Sequence, residues 1–157
     1  NVLKIHEKAQ NLVNEGFFII LIAQKIHPEA IGKISFCGEN SIILEDDEDL
    51  LDVIDKYRKS GLNRIAVISQ TTFSVIKFEY LVNQLKFQLE DNIDLLICNT
   101  ICSATDLRQK ETAIISKKVD AMIIIGGKNS SNTKKLFEIS KKNCPNSYIV
   151  ETIEDLK

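Results

Sequence analysis

Four short stretches of this sequence carry side chains able to do chemistry, and each follows an apolar run. His27-Pro28-Glu29 sets a titratable base and a titratable acid on either side of a proline that fixes the backbone between them. Thr71 and Thr72, after Gln70, offer two hydroxyls that can both donate and accept. Cys98 and Cys102 are separated by Asn99-Thr100-Ile101, and a thiolate is a soft metal ligand. Ser130-Ser131-Asn132 follows the glycine pair Gly126-Gly127. Each has a bland local explanation. HPE is an ordinary exposed loop, the threonines and the Ser130–Asn132 group are helix caps, and one cysteine pair is no specific metal motif. Together they place an acid, a hydroxyl relay, a soft metal ligand and an anion cradle in one chain. That set points to redox or Lewis-acid chemistry with proton delivery on a phosphorylated substrate. Cys37 and Cys144 read as structural or incidental thiols.

For these residues to work together, strands must deliver them to one sheet edge. Residues 122–125, with Ala121, are apolar throughout, as a strand covered on both faces should be. Gly126 and Gly127 permit a sharp turn and a ligand's close approach to the backbone. Leu136, Ile139 and Ser140 then recur at helical spacing, so Ser130, Ser131 and Asn132 stand at a helix N-terminus, where free N–H groups and the positive dipole end form an anion site.

Upstream, Val2, Ile5, Ala9, Leu12 and Val13 share a helical face that Gly16 ends, and His6 on that helix is given no role. Residues 17–23 form a buried strand leading into HPE, and residues 34–36 and 41–44 read as short strands. The acidic run 45–49 is weighed as a metal site. The spacing of Leu50, Leu51, Ile54 and Tyr57 makes it instead the solvated first turn of a helix that closes with Lys56, Arg58, Lys59 and Gly61. Residues 65–69 are the next strand, followed by a helix to about Leu89 with Ile76, Tyr80, Leu81 and Leu85 inward. A strand at 93–97, a helix at 105–118, strands at 119–125 and 148–150, and a helix starting at 152–155 complete the pattern. This alternation predicts an α/β fold of repeated βα units with parallel sheets. A tight boundary near Cys98 divides it into residues 1–98, carrying the HPE and QTT segments, and 99–157, carrying the Cys102 and Asn132 segments. In such sheets ligands bind outside the carboxyl ends of the strands, where all four segments fall.

Composition narrows the class. A chain of 157 residues with 44% hydrophobic content can bury a core, and a net charge of −2 provides no basic field for nucleic acid. The apolar run 17–23 is far short of the roughly 20 residues that span a bilayer, and no signal-peptide pattern opens the chain, so a cytoplasmic protein is expected, its thiols reduced or used for metal or redox work. The chain begins with Asn inside a helical pattern, and its second piece is small for an independent core, so a fragment of a larger protein is expected.

At these residues the sequence resembles one family. HPEAIG, SQTTFS, ICSATDLRQ and GGKNSSNT match, in order and with plausible spacing, the hydroxymethylbutenyl diphosphate reductases of the non-mevalonate isoprenoid pathway, the LytB or IspH family. The likeness covers essentially all 157 residues. The resemblance implies a three-lobed, trefoil-like α/β reductase around a 4Fe-4S cluster held by three cysteines, with one iron open to substrate. It implies that Cys102 is a cluster ligand and that Glu29 is the proton donor. Thr71 would hydrogen-bond near the substrate hydroxyl and Glu29, with Thr72 beside it at the substrate. His27, Ser130, Ser131 and Asn132 would hold the diphosphate. The implied reaction removes the allylic hydroxyl of 4-hydroxy-3-methylbut-2-enyl diphosphate with two electrons and protons, giving isopentenyl and dimethylallyl diphosphate. Reduced ferredoxin or flavodoxin would supply the electrons.

The sequence departs from the family in that two of its cluster cysteines, two diphosphate-binding histidines and a pocket-closing serine stretch have no counterpart here. The AQKI loop before HPE lacks a glycine common in the family. The second lobe and much of the third are therefore expected, and the isolated chain is expected to be inactive. Two other classes stay open. A non-catalytic phosphate- or nucleotide-binding module would use the Asn132 helix start without Cys102 or Glu29. A structural or regulatory fragment would use neither.

Overall fold

The computed structural model describes residues 2–90 and 92–156, and the side chains of Val2, Ile5 and His6 lie outside the described residues. The chain divides into two compact units, Asn1–Thr100 and Ile101–Lys157. Among the described residues no helix is long and apolar enough to cross a membrane.

In the first unit apolar strands alternate with helices: α1 (Val2–Asn14), β1 (Phe18–Ile22), α2 (Pro28–Cys37), β2 (Ser41–Leu44), α3 (Leu50–Ser60), β3 (Arg64–Ser69), α4 (Val75–Gln88) and β4 (Asp94–Ile97). The strands form one parallel sheet in the order β2-β1-β3-β4, with Ile20 of β1 level with Ile42 on one side and Val67 on the other. Every residue of β1 is buried, because the central strand is covered on both faces. Ile19 and Leu21 pack with Ala9 and Leu12 of α1 and Ala30 and Cys37 of α2. Phe18 points the other way and meets Tyr57 of α3 edge-on, ring centroids 5.6 Å apart.

Four local expectations are corrected here. Residues 34–36 are not a strand but the last turn of α2. Pro28 presets the first helical φ, the His27 side chain caps the start, and Ala30, Lys33 and Cys37 form one buried face, which overrides the β preference of Ile-Ser-Phe. In α4 the inward stripe is Val75, Phe78, Leu81, Val82 and Leu85. Ile76 and Tyr80 lie on the neighbouring exposed stripe, where the Tyr80 hydroxyl donates to Asp47 at 2.9 Å. Ser74 rather than Thr71 or Thr72 caps α4, so both threonines stay in the turn after β3. The acidic run is only partly solvated. Asp46 caps a short 3-10 helix, Asp47–Asp49, and buried Asp49 accepts from the Glu45 and Asp46 N–H groups and pairs with Lys25. Gly61, in the left-handed conformation at φ 68°, ends α3 as expected.

The second unit comprises α5 (Ser103–Ile115), β5 (Met122–Ile125), α6 (Ser131–Asn143) and β6 (Ser147–Val150), and residues 152–155 lead into a short 3-10 helix, Ile153–Leu156. β5 and β6 form a two-stranded parallel sheet with Ile124 opposite Ile149. The expectation that β5 is covered on both faces is overturned. Ile124 is buried, but Ile123 is 54% and Ile125 81% exposed. Side chains alternate across a strand, and this small sheet buries Ile124 and Ser147 on one face while Ile123, Ile125 and Tyr148 on the other stay exposed.

Candidate functional site

The strand order of the first unit reverses at β1. From β1 the chain goes to β2 on one side and then to β3 on the other. The carboxyl ends of β1 and β3 therefore flank a topological switch point, the crevice where open α/β sheets receive ligands. Glu29 follows β1 and Thr71 follows β3, and they meet there. The Thr71 N–H donates to Glu29 Oε1 at 2.8 Å, and the Thr71 hydroxyl donates to Oε2 at 2.8 Å. Lys33, one turn along α2, reaches back to Oε1 at 2.7 Å and donates its ammonium also to the Ser69 carbonyl at 2.8 Å. Burial opposes ionisation of Glu29, but the Lys33 ammonium and the two Thr71 donors outweigh it and hold the carboxyl below its usual range. Both Glu29 oxygens thus accept hydrogen bonds, the pattern of a carboxylate.

His27 caps α2. Its Nδ1 accepts from the Glu29 N–H at 3.1 Å, so the neutral ring carries its proton on Nε2, a donor suited to an anion. Thr72 accepts from Gln70 Nε2 at 3.0 Å, and buried Gln70 accepts from the Gln24 N–H at 3.0 Å, so one amide ties the loops after β1 and β3 together. Lys33 and Gln70 were not singled out from the sequence. The Glu29–Lys33 spacing is a helical i,i+4 pair, a signal hidden by reading residues 34–36 as a strand.

In the second unit Ser130 caps α6, accepting from the Thr133 N–H at 3.3 Å, and Ser131 and Asn132 form the helix's first turn. The Asn132 Oδ1 is buried with no hydrogen-bond partner. A Cβ at Gly126 would lie 2.4 Å from Thr133 Oγ1, so any larger residue there makes the Thr133 side chain shift. With Thr133 in place, glycine lets the end of β5 approach the start of α6 closely. Cys102 caps α5, is exposed, and makes no capping hydrogen bond through its side chain. Cys37, Cys98 and Cys144 are buried, and burial pushes the Cys37 thiol up to about 11.

A 4Fe-4S cluster does not fit this donor set. Among the described residues no group of three or more His, Cys, Asp or Glu side chains is placed to hold a metal, and Cys102 is the exposed thiol. The structure brings Glu29, Thr71, Thr72 and His27 together in the first unit. It sets Cys102 and the Ser130–Asn132 group at two helix starts in the second.

The LytB protein family model matches residues 1–157. The 4-hydroxy-3-methylbut-2-enyl diphosphate reductase of Aquifex aeolicus is 36% identical over 99% of this chain and 52% of its own length. The enzyme of the same name from Clostridium perfringens (strain SM101) is 37% identical over 99% of this chain and 51% of its own. The solved structure of the E-1-hydroxy-2-methyl-but-2-enyl-4-diphosphate reductase from Plasmodium falciparum superposes with a TM-score of 0.82 at 30% identity, over 99% of this chain and 48% of that one. The chain spans about half the length of the curated relatives it matches.

Proposed function

The chain belongs to the LytB protein family, and from that premise we propose that its residues serve the reductive removal of the allylic hydroxyl from 4-hydroxy-3-methylbut-2-enyl diphosphate. The products are isopentenyl and dimethylallyl diphosphate. The observation that carries this reading is the Glu29 carboxylate bound by both donors of Thr71 at the β1/β3 switch point. A hydroxyl arriving there can engage Thr71, and Glu29 behind it is the group that takes and returns a proton. Thr72, fixed by Gln70, lines the substrate beside Thr71. His27, through Nε2, and Ser130, Ser131 and Asn132 at the α6 N-terminus hold the diphosphate. Its negative charge suits the helix dipole, and the Asn132 side-chain NH2 can donate to it. Cys102 is one ligand of a 4Fe-4S cluster whose other ligands the described residues do not supply. Reduced ferredoxin or flavodoxin is the electron donor. By itself the chain is inactive in this reading.

The test places the sequence in a protein of its relatives' length and reconstitutes it anaerobically with iron and sulfide beside this chain. Cluster and turnover on the longer protein only, lost with Cys102→Ser and cut with Glu29→Gln, is the expected result. No cluster on either protein removes the redox reading. The α6 N-terminus at Ser130–Asn132 would then favour a non-catalytic diphosphate-binding module, in which Cys102→Ser leaves binding intact.

A further inference from the structure

Lys33 has no exposed side-chain surface, yet its ammonium spans Glu29 Oε1 and the Ser69 carbonyl. The anchor is itself tied down. Ser69 N–H and Oγ and the Ser69 carbonyl all hydrogen-bond Thr100, joining the end of β3 to the segment after β4. Burying an ammonium costs desolvation that its attraction to a carboxylate only offsets, and a methionine would fill the same space without that cost. Stability alone therefore does not account for a lysine here. What it changes is the direction of hydrogen bonding above it. Glu29 receives bonds from Lys33, the Thr71 N–H and the Thr71 hydroxyl, and gives none. A threonine whose proton is committed inward can only accept from outside. A neutral Glu29 would reverse the chain, donating to Thr71, whose hydroxyl would then donate outward.

We propose that Lys33 is a positioning residue that sets the polarity of the Glu29–Thr71 pair, so that the resting site receives a hydrogen bond from a ligand's hydroxyl and does not donate one to it. This rests on the reading of Glu29 and Thr71 as ligand-facing groups. The charged and titratable groups facing Glu29 are Lys33 and, at the cap of the same helix, His27. Among the described residues the end of β3 and the turn after it bring uncharged Ser69, Gln70 and Thr71. The ligand class that satisfies the pair is an alcohol. An analogue with fluorine in place of the hydroxyl keeps the shape and lacks the donor.

Two readouts decide it. The Glu29 carboxyl is titrated by carbon NMR in this chain, in the native sequence and in Lys33→Met. The binding ratio of the alcohol to its fluoro analogue is measured in the protein of its relatives' length, native, Lys33→Met and Lys33→Met/Glu29→Gln. The expected results are an upward shift of the Glu29 midpoint in Lys33→Met and a fall of about 2- to 10-fold in the alcohol preference, the loss of one hydrogen bond between neutral hydroxyls. The double variant, which leaves no unpaired charge if the single one fails to fold, shows the same lost preference. An unmoved midpoint, or a ratio unchanged in both variants, overturns the inference. If the native protein reduces the alcohol while the ratio stays unchanged, the inference fails and the reductase reading stands. If the ratio falls as expected but no protein reduces the alcohol, the inference stands and the reductase reading fails.

Discussion

The two units use the same kind of apolar strand and treat it differently. Phe18–Ile22 and Met122–Ile125 are equally hydrophobic in sequence, yet β1 is buried along its whole length while β5 alternates between buried Ile124 and exposed Ile123 and Ile125. A central strand with neighbours on both edges and helices on both faces has nowhere to expose a side chain, whereas a two-stranded sheet has one covered face. The polar groups differ in the same way. In the first unit Glu29, Lys33, Thr71 and Ser69 satisfy one another across three elements. In the second the Asn132 Oδ1 is buried and unsatisfied. The first unit's site is built by its own fold, and the second presents a cradle with a polar atom to spare.

The largest effect that tests this contrast is Glu29→Ala. It strands the buried Lys33 ammonium and should cost the first unit about 3–5 kcal/mol in urea unfolding, leaving hydrogen exchange in β5 unchanged. Glu29→Gln should cost less. A loss under about 1 kcal/mol would put the pair with exposed ion pairs of little worth. The same carboxyl sets a pH dependence. Its folded pKa is lowered, so its contribution is complete above its unfolded value near ~4.3 and is lost as pH falls through the lower folded value. Urea midpoints taken from pH 7 downward should show this loss, and Glu29→Gln should flatten it.

Next in size is a matched pair of truncations. Ile20→Ala in β1 should cost about 2–5 kcal/mol, and Ile125→Ala in β5 should stay within about 0.5 kcal/mol. Equal costs, measured by denaturation, would mean that the exposed face of β5 is buried in solution. Gly126→Ala follows, at about 1–3 kcal/mol, with weakened pyrophosphate binding, because the new Cβ meets Thr133 Oγ1. Adding Thr133→Ala should recover most of both losses, and failure to do so would assign the glycine to its backbone alone. The smallest effect is chemical. Iodoacetamide should label Cys102 in the folded chain and reach Cys37, Cys98 and Cys144 only on unfolding, read by mass spectrometry.

Much of this arrangement was legible in the residues. Apolar runs broken by Gly16, Gly61 and Gly126 placed five of the six strands close to their observed bounds, because a central strand and a glycine stop are local signals. HPE, QTT, the Cys102 segment and the serine-asparagine cluster stood out because few residue types do proton transfer, soft-metal binding or anion capping. Residues 34–36 misled because Ile-Ser-Phe has strand propensity, and only the cap at His27 and the buried face of Ala30, Lys33 and Cys37 make them helical. Ile76 and Tyr80 misled because two apolar stripes share α4 and only packing selects one. Residue types and spacing by themselves determined the alternation of strands and helices and which side chains stand at strand ends, since both are set within a few residues. Tertiary structure alone decided that β1 and β3 become neighbours, that Glu29 therefore meets Thr71 across 42 residues of chain, and that Lys33 lies beneath them. Strand order is fixed by which faces bury one another, and no local pattern records it.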